Sequence, residues 1–131
     1  MTRQTAAVLL TLTLSVSAFA TTPRSSESID WSKAERNYVA ALASDNLGLR
    51  HSAASYIAEY RLPGAVVSLI SVLQSDKVEQ MRMSAAQALV QIGNKEGLDA
   101  VQDAAMYDGS EKVAKFCEQL LASEDGSLSL K

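Results

Sequence analysis

The sequence predicts an all-α fold, a short α-solenoid of about six helices, and three observations carry that prediction. At an offset of 32 residues the chain matches itself: Leu49, Met81 and Val113 align, as do Ala53, Ala85 and Cys117, and Ile57, Leu89 and Leu121. Within a unit the apolar residues recur at three- and four-residue spacing, as in Leu49, Ala53, Ala54 and Ile57 and again in Val66, Leu69, Ile70 and Leu73. Pro63-Gly64 and Gly93-Asn94 interrupt the pattern where a helical hairpin must turn. One such hairpin cannot bury both sides of its apolar face, so the units are stable only when stacked.

Taken in order, residues 1–20 read as a secretory signal peptide and not as part of the fold. Arg3 precedes an uncharged stretch from Thr5 to Ala20 that closes on the small residues Ala18 and Ala20. The stretch is too short, and too interrupted by Thr and Ser, for a membrane span of about 20 apolar residues. Export to a periplasm or out of the cell is expected, with no membrane insertion after cleavage. Residues 21–29, Ser/Thr-rich with Pro23, read as a flexible leader, residues 30–123 as the repeat domain and residues 124–131 as a flexible tail.

Within the domain, helices are expected near 30–43, 47–60, 64–74, 78–92, 95–106 and 110–123. The first is half a unit, because an offset of 31 matches Val39 to Ile70 and Asp45 to Asp76. Its inward stripe is Trp31, Ala34, Tyr38, Ala41 and Leu42, with Lys33, Glu35, Arg36 and Asn37 left to solvent. The last helix buries Val113, Phe116, Cys117, Leu120 and Leu121 and turns Glu111, Lys112, Lys115, Glu118 and Gln119 outward. Polar outer faces at both ends are what terminal repeats need, so a capped monomer is expected.

Composition narrows the function. The net charge is -3, from 12 Lys plus Arg against 15 Asp plus Glu, and gives no basic field for nucleic acid. Loss of residues 1–20 removes Arg3 and leaves a chain of charge -4, mildly acidic. One cysteine and one histidine are too few soft ligands for a zinc site, and no Asp-rich calcium loop occurs, so neither metal nor cofactor is expected. His51 has no catalytic partner placed by spacing, and Ser52 and Ser55 lack the strand-turn-helix setting of a serine nucleophile. No catalytic residues are assigned. Cys117, on an apolar stripe, reads as a buried small hydrophobe. Trp31, Tyr38, Tyr56 and Tyr60 read as an aromatic cluster sealing the first unit.

The segments Leu49-Arg50-His51-Ser52-Ala53-Ala54-Ser55-Tyr56-Ile57-Ala58 and Met81-Arg82-Met83-Ser84-Ala85-Ala86-Gln87-Ala88-Leu89-Val90-Gln91-Ile92-Gly93 resemble HEAT repeats, in particular the short HEAT-like type also found in phycobilisome lyases. The resemblance spans about residues 30–123. It implies a right-handed solenoid of helical hairpins, and an inter-repeat ladder of an Asp before each first helix and an Arg near its start. Asp76 and Arg82 fit that spacing, Asp45 with Arg50 is one residue shorter, and Asp108 is followed by Ala114 where the arginine belongs, so an incomplete ladder is expected.

The resemblance also implies that second helices line a concave face that holds another protein. Ser68, Ser71 and Gln74 of the first full unit and Asp99, Gln102 and Asp103 of the second would line it. Asp99 and Asp103, four residues apart, share a helix face as a small acidic patch. The expected function is therefore an exported protein-binding scaffold and not an enzyme. The alternatives are a lyase or chaperone acting on a tetrapyrrole-like ligand, suggested only by the shared repeat type, and a structural subunit of an envelope complex.

Overall fold

The computed structural model describes residues 28–128, with side chains described through Glu124. The proposed signal segment and most of the leader lie outside these residues. Six α-helices follow one another: α1 (Trp31–Leu42), α2 (Leu47–Glu59), α3 (Val66–Ser75), α4 (Glu79–Ile92), α5 (Lys95–Tyr107) and α6 (Glu111–Leu128). A 3-10 turn at Pro63–Ala65 leads into α3, because proline supplies a fixed φ and no N–H at the start of a helix. Among the described residues there are no strands.

Local chemistry sets the helix ends. Asp30, Asn46 and Asn94 each accept the backbone N–H three residues on, from Lys33, Leu49 and Gly97, and so cap α1, α2 and α5. Gly93 ends α4 with φ 75°, a left-handed conformation that glycine adopts without a Cβ clash. Three turns between units share one device. Ser44 Oγ, Asp76 Oδ1 and Asp108 Oδ1 accept the N–H two residues ahead, from Asn46, Val78 and Ser110.

These turns fix the period. α2, α4 and α6 begin at residues 47, 79 and 111, and α1, the 3-10 turn before α3, and α5 begin at 31, 63 and 95. The spacing is 32 everywhere, which corrects the backward offset of 31: Ser44, not Asp45, is the counterpart of Asp76. The other departure is at the C-terminal end. α6 continues to Leu128 where the sequence suggested a stop near residue 123 and a flexible tail, and Ser123 Oγ donates to the Leu120 carbonyl within it. No proline follows Leu121 to break the helix.

The helices form two layers. The first-helix layer is α2, α4 and α6, each touching the next, and the second-helix layer is α1, α3 and α5. The core between them includes Ala53, Ile57, Leu69, Leu73, Met81, Ala85, Leu89, Val101, Val113 and Cys117, and holds no buried charged or polar residue. Its many alanines let helix axes approach closely. α4 is the central member, packed against α2, α3, α5 and α6, and carries the longest buried set, from Met81 to Val90.

Three expectations for the first unit are corrected. Leu49, aligned with the fully buried Met81 and Val113, is 50% exposed, and Trp31, placed on the inward stripe, is 43% exposed. Both lie at the end of the stack, where no first helix precedes α2 among the described residues. Glu35, placed outward, is instead half-buried, with its carboxylate set against Gly64.

Candidate partner-binding face

The polar interior of the stack is an ion-pair ladder. Arg50, near the start of α2, pairs with Asp76 in the turn before α4, and Arg82, near the start of α4, pairs with Asp108 in the turn before α6. Both pairs span 26 residues. Arg82 grips Asp108 with two bonds, Nε to Oδ2 and Nη2 to Oδ1, each 2.9 Å, while its Nη1 donates to the Asp76 carbonyl at 2.8 Å. Burial pushes the Asp108 pKa up, but the hydrogen bond from Arg82, the Ser110 N–H and the Arg82 charge outweigh it and hold the carboxyl below its ordinary range.

Asp76 and Arg82 do not pair through their side chains; each arginine reaches forward to the next unit's aspartate. Asp108, although Ala114 follows it where its own unit's arginine would stand, is a full member through Arg82. At the two ends of the register, Ser44 and Ala114 stand in place of the aspartate and the arginine, and Asp45 is simply exposed.

Next to this ladder the second-helix layer carries two grooves. One, of about 300 Å3, lies between α3 and α5 and is lined by Gln74, Asp103, Ala100, Ala104 and Tyr107 over Asp108 and Arg82. The other, of about 600 Å3, lies between α1 and α3 and takes in Ser68 and Ser71 beside Val39, Val72 and Lys77. Four of the six sequence-derived contact residues therefore line grooves on one layer. Gln102 is exposed and lines neither.

Asp99 also stands apart: Lys95 Nζ lies 2.6 Å from its Oδ2, four residues back on the same helix. That pair halves the acidic patch expected at Asp99 and Asp103 and leaves Asp103 as the carboxylate facing the groove without an ion pair among the described residues. Sequence reasoning missed Tyr107, which is 78% exposed on the groove rim. The available signal was its position four residues after Asp103, one turn along the same helix face.

The opposite layer holds a further contact between units. His51 Nδ1 lies 2.9 Å from Ser84 Oγ of the next unit, in a polar groove shared with Ser55, Glu59, Gln87 and Gln91. Ser84 Oγ also lies 2.9 Å from the Gln80 carbonyl of its own helix, to which it can donate. The His51–Ser84 contact ties two units together. Among the described residues no group of three or more His, Cys, Asp or Glu side chains could hold a metal ion, and no helix is long and apolar enough to cross a membrane.

Cys117 sits fully buried on α6, and burial followed by the nearby Asp108 charge pushes its thiol up to about 11. In the native chain it should resist a thiol-specific reagent at about pH 8, where an exposed cysteine reacts freely, and should react stoichiometrically once the chain is denatured. Native reaction at the rate of a free thiol would contradict this placement.

A family model for HEAT repeats matches residues 37–125, more than half of the chain and coincident with the helical stack. Comparison with curated proteins and with solved structures gives no match. Stacked helical hairpins, a uniform 32-residue period and an Arg–Asp ladder between units are all present, and the chain belongs to the HEAT repeat family.

Proposed function

We propose that this chain is an exported scaffold that binds another protein on the layer formed by α1, α3 and α5. HEAT repeats are in general protein-interaction scaffolds. The observation that carries the reading here is the α3–α5 groove, where an exposed tyrosine and an unpaired carboxylate, Tyr107 and Asp103, flank a floor of Leu73, Ala100 and Ala104. Aromatic rims around a partly apolar floor are where binding energy concentrates at protein interfaces, and a lone carboxylate sets orientation by pairing with a donor. Export rests on the N-terminal segment, with its single Arg3, uncharged stretch and Ala18-Phe19-Ala20 ending.

Affinity capture from an extract of the source cells tests the binding reading. A protein retained in stoichiometric amount by the unmodified chain should be lost with Asp103→Lys or Tyr107→Ala. Both positions are exposed, so neither variant should lose helicity. Retention of the same protein by both variants would remove this groove as the site. Export is read separately, by an N-terminal sequence of the recovered chain beginning at Thr21.

A further inference from the structure

The two ends of the stack differ. At the C-terminal end α6 presents Glu111, Lys112, Lys115, Glu118 and Gln119, all exposed, with Lys115 paired to Glu111 at 2.7 Å. At the other end four aromatic rings form a continuous row on α1 and α2. Trp31 packs on Tyr60 at 4.9 Å between ring centroids, Tyr60 on Tyr56 at 6.3 Å, and Tyr56 on Tyr38 at 5.5 Å. Tyr56 and Tyr60 remain 45% and 44% exposed, and Leu49, two turns before Tyr56 on the same stripe, is open to solvent as well.

The repeat register says what this stripe is for. Leu49 and Tyr56 are the counterparts of Met81 and Ala88 in α4, and those two are fully buried where α2 packs on α4. α2 therefore presents a helix-stacking face with no helix on it among the described residues. Its residues, Leu49, Ser52, Tyr56 and Tyr60, carry no charge, and neighbouring Glu59 pushes the Tyr60 phenol above its ordinary value, which keeps it un-ionised.

We propose that this N-terminal end face is a self-association surface, on which a second copy of the chain docks through its own Trp31, Tyr38, Leu49, Tyr56 and Tyr60 about a two-fold axis. The far end of another copy fits poorly, because Glu118 would lose water against the negative faces of aromatic rings with no new partner, and Lys115 would give up its Glu111 pair for a ring contact. A two-fold contact instead sets uncharged rings against uncharged rings and closes the assembly at two chains. The free face rests on the proposed export: once residues 1–20 are removed, residues 21–28, Thr-Thr-Pro-Arg-Ser-Ser-Glu-Ser, contain no aliphatic or large aromatic side chain with which to cover it. A 13-residue helix is roughly 20 Å long, and two adjacent helices are about 20 Å wide, which gives a contact of about 400 Å2 per partner, about half the ~800 Å2 of standard interfaces. The dimer is accordingly reversible and concentration-dependent.

Sedimentation velocity on the full chain as recovered from cells reads this directly. The weight-average mass should rise with concentration from one chain to two and stop there. Leu49→Glu and Tyr56→Glu should stay monomeric at every concentration with unchanged helicity, while Val67→Glu, at an exposed position on α3, should dimerise like the unmodified chain. Ser52→Cys, on the stripe between Leu49 and Tyr56, should give a disulfide-linked dimer on mild oxidation. The emission of Trp31, the chain's single tryptophan, should shift to shorter wavelength as the dimer forms. A monomer at all concentrations, a dimer indifferent to Leu49→Glu and Tyr56→Glu, or growth beyond two chains would overturn the proposal. So would a blue-shifted Trp31 in a monomer that reverts when residues 21–28 are removed, since the chain would then cover its own face.

Discussion

Arg82→Ala is expected to lower unfolding stability by about 2–3 kcal/mol, far more than loss of any ion pair on the surface. The arginine side chain is 14% exposed and its partner Asp108 7% exposed, so removal leaves a carboxylate largely withdrawn from water without its partner and also frees the Asp76 carbonyl. The control is Lys95→Ala, whose pair with Asp99 lies in solvent and whose loss should produce no measurable change in a urea titration. The effect also has a pH signature. Asp108 is held below its ordinary range when folded, so its contribution is present in full above the unfolded value of about 3.9 and is lost as pH falls through the lowered folded value. In Arg82→Ala the burial of Asp108 remains without its compensation, so the gap between variant and unmodified chain should narrow below about pH 4. A gap of constant size across the acid range would show that the ladder does not stabilise through this carboxylate.

Met81→Ala is expected to cost about 2–4 kcal/mol, equivalent to a fall in Tm of roughly 10–20 °C, while Leu49→Ala costs under about 1 kcal/mol. The two residues hold the same place in successive repeats. Met81 is fully buried between α2 and α4, and its truncation leaves a cavity, whereas Leu49 keeps half of its surface in water. The comparison belongs at dilutions where the chain is a monomer, so that Leu49 reports on folding alone. Equal costs at the two positions would mean that α2 is covered by something in the folded monomer, against the end-face geometry.

These expectations also mark where sequence reasoning reached and where it stopped. Most helix ends fell near their expected places because their causes are local: Gly93 and Asn94, singled out in the sequence, end α4 and cap α5 within three or four residues of where they stand, whereas the end of α6 was not legible. Met81, Leu89 and Val113 were legible as core because a 3.6-residue period written in apolar side chains defines a face. The placement of Cys117 followed from the same stripe. The candidate face was half legible: Gln74 and Asp103 do share a groove with each other, but Tyr107 was missed and Asp99 was credited with a free charge that Lys95 occupies.

What the sequence by itself determined about this protein is the unit: its 32-residue length, its pair of helices, its apolar stripes and the turns between them. Those properties depend on neighbours within a few residues, and composition and spacing record them directly. Only the tertiary structure decided which unit an arginine serves, because Arg50 and Arg82 could each bond within their own turn or across to the next, and stacking alone brings Asp76 and Asp108 into reach 26 residues away. It also decided the fate of equivalent residues. Met81 and Leu49 obey one sequence pattern, yet burial requires a neighbour on the far side, and α4 has α2 there while α2 presents its rings to solvent. Periodicity specifies a face; whether that face is core or interface depends on what stands against it.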